Sequence, residues 1–200
     1  FDMDGLLLDT ERQYLATYLE TCIQFGITEQ EHVFYDCVGL RMADSAKVLK
    51  DALSHLIDLE SFMRDWDSRI HAARTAHMPL KFGADILLST LQQNGIASVV
   101  ATSTGTQKAI RHLKAAGIYD FVSDVIGGDR VQNGKPDPEI YLRAAKAAGI
   151  DAVHCAAFED SDPGTLAAVR SGATTVQVPD LKPPSDKTRA LGHLIADDLL

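Results

Sequence analysis

Two carboxylates stand two residues apart at the start of the chain, in the segment Phe1-Asp2-Met3-Asp4-Gly5. In an extended backbone, residues i and i+2 point to the same side, so both carboxylates can reach one reaction centre. One aspartate can then attack as a nucleophile while the other transfers a proton, and neighbouring acids also suit a hard cation. Taken alone, an Asp-x-Asp pair is more often a turn or a solvated strand end.

Hydroxyl side chains end a predicted strand near the middle of the chain. The β-branched, apolar residues of the run 96–104 are typical of a buried strand in a parallel sheet. Thr102 and Ser103 lie at the end of this run, and a helix is predicted from Gln107 to Ala116. A hydroxyl beside the first amides of a helix can hold a phosphate oxygen. Taken alone, an ordinary helix N-cap explains the pattern better.

A lysine and a pair of acids form two further groups. Lys135 lies between a glycine and a proline, before a helix predicted to begin near Pro138. That setting suits a lysine that must place its ammonium on a phosphate, although a simple turn is about as frequent. The apolar segment from Val153 ends in Glu159 and Asp160. Clustered acids repel one another unless a cation or a lysine compensates them, so a metal site explains this pair better than chance does.

All of these groups follow strands or loops of one predicted α/β sheet. In an open sheet of this kind, ligands bind in the crevice outside the carboxyl ends of the strands. Each group is a weak signal by itself, whereas the shared position and complementary chemistry make the set a strong one. The predicted site therefore contains Asp2, Asp4, Thr102, Ser103, Lys135, Glu159 and Asp160.

The order of these groups resembles that of the haloacid dehalogenase (HAD) superfamily of phosphotransferases. The sequences GLLLDTE, ATST, GKPDPEIY and FEDSDPGTLAA are similar to its sugar-phosphatase and β-phosphoglucomutase-like branch, over essentially the whole chain. This resemblance implies a Rossmann-like core with a parallel sheet, dependence on Mg²⁺ and an aspartyl-phosphate intermediate.

The resemblance also implies a role for each matching residue. Asp2 matches the nucleophile and Asp4 the general acid/base. Thr102, with Ser103 beside it, and Lys135 match the phosphate-holding groups. The acids that match the Mg²⁺ site are Asp2, Asp4, Glu159 and Asp160.

The segment between the first two core strands has a different character. Helical periodicity covers residues 10–26, 43–56 and 61–76, with almost no strand-like sequence. We therefore expect an all-helical cap domain at residues 11–78, inserted after the first strand of a core made of residues 1–10 and 79–200. A cap of this kind excludes water and selects the substrate.

Within the predicted cap, the loop Val38-Gly39-Leu40-Arg41 is the best candidate for a substrate contact. Glycine permits a close approach, and the guanidinium of Arg41 can bind a polar or anionic leaving group. An arginine exposed to solvent at a helix start is about as frequent.

The predicted function is Mg²⁺-dependent hydrolysis of a small phosphate monoester, of the sugar-phosphate or phosphoglycolate type. A β-phosphoglucomutase is the main alternative, but such mutases usually carry a histidine where this chain has Tyr14. They also tend to carry a Lys-Asn pair where this chain has Gly105-Thr106. A dehalogenase is disfavoured because those enzymes lack the second acid, and a non-catalytic phosphate-binding module is disfavoured because the catalytic set is intact.

Composition limits the partners of the chain. Its 200 residues are 46% hydrophobic with a net charge of −9, and no apolar run is long enough for a membrane span. The negative charge argues against nucleic acid, so the expected partner is a small phosphorylated metabolite, with the protein a monomer or weak oligomer. Three cysteines without pair spacing predict buried thiols in a reducing, cytoplasmic compartment. The chain starts at Phe1 and stops at Leu200, and we expect a preceding apolar strand and a closing helix outside these limits.

Overall fold

The computed structural model describes residues 1–38 and 42–200. Contacts between residues divide the chain into two compact units. The first consists of Phe1–Asp9 together with Pro79–Leu200, and the second is Thr10–Met78. The role of the second unit as a cap stays a prediction.

The second unit is built from helices around an aromatic centre. The ring of Tyr18, which is fully buried, contacts Phe62 and Trp66 edge-on, with ring centroids 5.8 Å and 5.2 Å apart. The side chain of Asp58 caps the last helix by accepting a hydrogen bond from the Glu60 amide, so this helix begins two residues earlier than the predicted start at residue 61. In chain order the helices are α1 (Thr10–Gln24), α2 (Glu31–Cys37), α3 (Met42–Leu53) and α4 (Leu59–Ala76).

Helix α2 is absent from the sequence prediction. It has seven residues, and Gln30 at its N-cap position makes no side-chain capping bond. A helix this short without a capping side chain carries little periodic signal, and it depends on tertiary packing for its stability. Its buried residues, Val33 and Phe34, supply that packing, since the Phe34 ring lies 5.6 Å from the ring of Tyr18.

The first unit alternates short parallel strands with helices. Its helices are α5 (Ala84–Gln93), α6 (Thr106–Ala115), α7 (Glu139–Ala147), α8 (Asp162–Arg170) and α9 (Asp186–Arg189). Its strands are β1 (Val99–Ala101), β2 (Asp124–Ile126), β3 (Ala156–Glu159), β4 (Thr174–Gln177) and β5 (Leu194–Ile195). Strand β1 pairs in parallel with β2, and β4 pairs in parallel with both β3 and β5. The predicted α/β class with a parallel sheet is confirmed.

The first residues of the chain connect the two groups of strands. The backbone nitrogen of Phe1 donates to the carbonyl of Val99 at 2.9 Å, and the amide of Ala101 donates back to the carbonyl of Phe1 at 2.8 Å. On the other side, the amide of Asp2 donates to the carbonyl of Phe158 at 3.0 Å. The opening segment therefore runs between β1 and β3, and it places Asp2 at the centre of the sheet.

The core of this unit lies between the strands and helices α7 and α8. Small side chains dominate it, which allows the helices to approach the sheet closely. The buried cluster contains Val99, Ala101, Ile126, Ile140, Tyr141, Ala144, Ala157, Ala167 and Ala168.

One strand is shorter than the sequence predicts. The apolar residues from Val153 form a short 3₁₀ turn (Ala152–His154), closed by a 3.0 Å bond from the Cys155 amide to the Ala152 carbonyl. Val153 is consequently 62% exposed rather than part of the buried strand. Strand β3 begins at Ala156, where the chain enters the parallel pairing with β4.

The three cysteines differ in their exposure. Cys22 is buried, but Cys37 and Cys155 are partly exposed, so the prediction of three buried thiols is wrong for two of them. Cys37 is the last residue of α2 and Cys155 directly follows the 3₁₀ turn, so both lie at the ends of short elements rather than inside one. Among the described residues, no helix has both the length and the apolar character that crossing a membrane requires.

Candidate active site

The backbone turns sharply directly after the two opening aspartates. The amides of Leu7 and Leu8 both donate to the Met3 carbonyl, and the Gly5 amide donates to the Leu8 carbonyl at 2.9 Å. Gly5 has φ = 88°, a conformation that favours glycine. A Cβ atom at this position would collide with the carboxylate of Asp160. Glycine is thus required both for the turn and for the approach of Asp160.

Lys135 lies at the centre of the candidate site. Its side chain is only 8% exposed, and its ammonium forms ion pairs with Oδ1 of Asp2 and with Oε1 of Glu159. Tyr141 on helix α7 donates a 2.6 Å hydrogen bond to the same Glu159 oxygen. One buried cation therefore connects the loop before α7 with the opening segment and the end of β3.

Glu159 is fully buried and surrounded by donors. Its Oε1 accepts from Lys135 and Tyr141, and its Oε2 accepts from the Asp160 amide and from the amide and hydroxyl of Ser161. A carboxylate offers about four lone-pair positions, so hydrogen bonds already occupy most of the capacity of this group. Glu159 consequently holds Lys135 and the start of the loop 159–162 in fixed positions.

Three acids lie close enough together to share a cation. One oxygen from each of Asp2, Glu159 and Asp160 lies within 4.8 Å of the others. Carboxylate oxygens are the ligands that Mg²⁺ prefers in proteins, so the donor set fits that ion. Asp4, the fourth acid predicted for the cation, is outside this cluster of three.

Burial and neighbouring charges shift the pKa values of the ionisable groups in this cluster. Burial raises the pKa of Asp2 to about 7, against the lowering effect of the Lys135 ammonium. Burial also favours a higher pKa for Glu159, but the Lys135 ammonium and the hydrogen bonds donated to the carboxylate outweigh burial and lower this pKa. Burial would lower the pKa of Lys135, yet the two carboxylates raise it above its ordinary value. Lys135 therefore stays charged and compensates the acids.

The second aspartate is bound to the loop after β1. The hydroxyl of Thr104 donates to Oδ2 of Asp4 at 2.8 Å, and the hydroxyl of Thr102 lies at a longer 3.5 Å from the same oxygen. Thr102 is buried and also accepts a 3.1 Å bond from the Thr104 amide. Ser103, the other predicted hydroxyl, is exposed. Arg41, the predicted contact in the helical segment, lies outside the described residues.

Sequence reasoning missed Thr104 and Tyr141. Thr104 stands two residues after Thr102, so the same-side spacing that linked Asp2 with Asp4 could have indicated it. Tyr141 is part of the sequence GKPDPEIY, in which only the lysine was assigned a role. Its contact with Glu159 depends on how α7 packs against β1 and β2, which the local sequence does not show.

The fold is a parallel α/β fold of the kind found in hydrolases, and comparison with known proteins gives the family. The model of the haloacid dehalogenase-like hydrolases matches residues 1–178. The phosphorylated carbohydrates phosphatase of Thermotoga maritima is 30% identical over 175 residues, which cover 86% of this chain and 80% of that protein. The chain therefore belongs to the haloacid dehalogenase-like hydrolase family, as the sequence resemblance predicted.

Solved structures show the same fold. A protein of Thermotoga maritima described as a candidate β-phosphoglucomutase superposes with a TM-score of 0.80 at 27% identity, covering 98% of this chain and 91% of that one. A HAD family hydrolase from Deinococcus radiodurans superposes with a TM-score of 0.81 at 23% identity, covering 98% and 87%.

Proposed function

We propose that this protein is a Mg²⁺-dependent phosphatase that hydrolyses a small phosphate monoester through an aspartyl-phosphate intermediate. The observation that carries this proposal is the buried contact of Lys135 with Asp2 and Glu159, beside the acid Asp160. Such an arrangement combines a nucleophile, a fixed positive charge and a set of carboxylates at one sheet edge. Family membership and the phosphatase relative from Thermotoga maritima support the same activity.

Asp2 and Asp160 are the acids we expect to hold Mg²⁺, and the carboxyl group of Asp4, which lies outside their cluster, is assigned to proton transfer. Glu159 assists mainly by fixing Lys135 and the loop 159–162, because hydrogen bonds already engage both of its oxygens. When bound, the ion supplies charge stabilisation for the transferring phosphoryl group.

In the first step, an oxygen of Asp2 attacks the phosphorus atom, and the bond between phosphorus and the leaving alcohol oxygen breaks. Lys135 stabilises the charge on the phosphoryl oxygens, and Thr102 holds one of these oxygens through its hydroxyl. Asp4 gives its proton to the leaving oxygen, a contribution of about 10²–10⁴-fold to the rate. The alcohol departs and the phosphoryl group remains on Asp2.

In the second step, Asp4 takes a proton from a water molecule, and the water oxygen attacks the phosphorus of the acyl phosphate. The bond between phosphorus and Asp2 breaks, which releases inorganic phosphate and restores the Asp2 carboxylate. Thr104 fixes the carboxylate of Asp4 in both steps through its 2.8 Å hydrogen bond. Asp4 thus acts as the acid first and as the base second.

The substrate class we propose is a small phosphorylated carbohydrate or a related phosphate ester. The relative from Thermotoga maritima is named for phosphorylated carbohydrates. The helical unit at residues 10–78 is the candidate for substrate selection, with Arg41 as the residue that binds the leaving group. Discrimination then depends on the helical unit, while the sheet edge performs the chemistry.

A β-phosphoglucomutase activity is the second candidate, because the candidate mutase from Thermotoga maritima shares the fold at 27% identity. Tyr14 and Gly105-Thr106, at positions where such mutases usually carry histidine and a Lys-Asn pair, argue for hydrolysis. Assays with β-glucose 1-phosphate distinguish the two functions. A phosphatase releases inorganic phosphate, whereas a mutase forms glucose 6-phosphate without net release.

The direct test is a screen of small phosphate esters with and without Mg²⁺. We expect Mg²⁺-dependent phosphate release that is lost in Asp2→Asn. Lys187→Met is a suitable control because this lysine is exposed and distant in sequence from every candidate group. Release that does not depend on Mg²⁺, or that persists in Asp2→Asn, would contradict the proposal.

A further inference from the structure

Gln177 is a buried polar residue that the sequence analysis did not identify. It is the last residue of β4, is 1% exposed, and lies opposite Glu159 in the pairing of β3 with β4. A buried amide of this kind costs free energy unless its donors and acceptor find partners. Its position beside the end of β3 places the partners of its amino group on the loop 159–162.

The amide of Gln177 connects two parts of the fold. Its Nε2 donates to the carbonyl of Asp160 at 3.2 Å and lies 3.5 Å from Oδ1 of Asp162. Its Oε1 lies 2.9 Å from Nε2 of His193, in the segment before β5. The buried amide group of Gln177 thus links the loop 159–162 to His193.

The chemistry of these partners sets the direction of every hydrogen bond. A backbone carbonyl only accepts, so the amino group of Gln177 must face Asp160. The amide oxygen must then face His193, and an oxygen requires a donor, so the Nε2 atom of His193 carries hydrogen. The Nδ1 atom of His193 is buried without a hydrogen-bond partner, which agrees with a neutral ring protonated on Nε2.

We propose that Gln177 is a positioning residue for the cation site, which it serves by holding the Asp160 peptide in place, and that His193 orients the Gln177 amide. This inference rests on the proposed function, because it assigns Asp160 to the Mg²⁺ site. The carboxylate of Asp160 extends from the same residue whose carbonyl Gln177 binds. Fixing that peptide restricts the directions in which the carboxylate can point.

A second set of contacts explains why the loop needs this bond. On its far side, Asp162 accepts from the Ser185 amide at 3.2 Å, and Ser161 accepts from the Gly164 amide at 3.2 Å to start helix α8. On its near side, Glu159 is held by Lys135 and Tyr141. Between these two sides, the hydrogen bond from Gln177 ties the Asp160 carbonyl to β4. The position of that peptide is therefore coupled to β4 and, through Gln177, to His193.

The test measures the affinity for Mg²⁺ by isothermal titration calorimetry, with no substrate present. Gln177→Met keeps the length of the side chain but removes both hydrogen-bonding groups. We expect Mg²⁺ to bind about tenfold more weakly, as is usual when a residue that orients a metal ligand is lost. Gln177→Glu keeps an oxygen for His193 but places a carboxylate against the Asp160 carbonyl, and we expect at least as large a loss.

Thr175→Val is the matched control. Thr175 lies on the same strand, is 4% exposed, and donates a partly buried 3.1 Å bond to the Ala173 carbonyl, away from the loop 159–162. The Thr175→Val substitution should lower the free energy of unfolding but leave the affinity for Mg²⁺ unchanged. An equal loss of affinity in Thr175→Val would show that any disturbance of β4 has this effect and would overturn the inference.

His193 provides a test that does not depend on the folding of the Gln177 variants. His193→Phe should weaken Mg²⁺ binding by a smaller factor, and His193→Gln, which restores a donor, should recover most of it. Wild-type affinity in His193→Phe would overturn the role of His193, and wild-type affinity in Gln177→Met would overturn that of Gln177. If the wild-type protein binds no Mg²⁺ at all, the proposed function is itself wrong and this inference is wrong with it.

Discussion

The hydroxyl of Thr104 donates a 2.8 Å hydrogen bond to Oδ2 of Asp4, across a separation of 100 residues in the chain. This contact joins the loop after β1 to the turn that follows the opening segment. Hydrogen bonds to a charged group are stronger than those between neutral groups, and they also fix its orientation. Thr104 therefore determines where the second carboxylate of the candidate site points.

Thr104→Val should lower the activity on alkyl phosphates. Loss of a hydrogen bond to a charged group costs about 1.5–3 kcal/mol, which corresponds to about a 10–150-fold decrease in kcat/KM. Thr104→Ser keeps the hydroxyl and should retain most of the activity. Steady-state kinetics of both variants check this, and a loss in Thr104→Ser as large as that in Thr104→Val would contradict the role assigned to the hydroxyl.

Substitution of the two opening aspartates should have different consequences. Asp2→Asn should abolish the phosphoenzyme, because an amide is a very poor nucleophile. Asp4→Asn should slow the first step severely for alkyl phosphates and much less for an activated aryl phosphate, whose leaving group needs little protonation. Rapid-quench measurements of the phosphoenzyme test both expectations. A phosphoenzyme on Asp2→Asn, or identical defects of Asp4→Asn on the two esters, would refute the assigned roles.

Lys135→Met should destabilise the protein strongly. The substitution leaves the carboxylates of Asp2 and Glu159 buried without their shared cation. Removing one partner of a buried ion pair costs about 3–5 kcal/mol. Urea unfolding without Mg²⁺ measures the loss, and the exposed Lys187→Met should change the free energy of unfolding by no more than about 0.5 kcal/mol. Similar stabilities of the two variants would mean that Lys135 does not compensate these acids.

Asp129 should make the stability of the folded protein depend on pH in the acidic range. Its Oδ1 accepts from the amide and the hydroxyl of Thr106, at 2.6 Å and 2.7 Å, at the start of α6. These two hydrogen bonds lower the pKa of Asp129 below its ordinary value of 3.8, and the bond from the amide has the larger effect. A carboxyl with a lowered pKa in the folded state stabilises the protein above its unfolded pKa, and this stabilisation is lost as the pH falls through the folded pKa.

Comparison with Asp129→Asn isolates this effect, since the amide keeps an oxygen acceptor but does not ionise. The wild-type protein should be more stable than the variant near neutral pH, and the difference should shrink as the pH falls below about 4. Thermal unfolding across this range measures the difference. A difference that does not vary with pH would show that the charge of Asp129 is unimportant.

Arg41→Ala should change the ranking of substrates more than the rate on a small generic ester. A residue that binds the leaving group affects KM and selectivity, whereas the chemical step depends on the sheet edge. Arg64→Ala is the control within the same helical unit, because the Arg64 side chain is 71% exposed. Equal losses on every ester would indicate that Arg41 supports folding instead.

Local sequence patterns were sufficient for much of this protein. The carboxylates of Asp2 and Asp160, the position of Lys135 before a helix, and the α/β class all follow from residue type, spacing and periodicity along the chain. The same patterns were insufficient in two places. Helix α2 is too short to show clear periodicity and was not predicted, and a 3₁₀ turn takes the place of the strand predicted from Val153. Short elements depend on tertiary packing, which local sequence does not encode.

The sequence by itself determined which chemical groups the protein has and that they follow strands, because these are properties of neighbouring residues. Only the tertiary structure decided which groups meet. Lys135 contacts Glu159 across 24 residues, Thr104 reaches Asp4 across 100, and Gln177 binds the carbonyl of Asp160 across 17. These contacts depend on the order of the strands in the sheet and on how α7 packs against it, because both bring distant residues to the same edge.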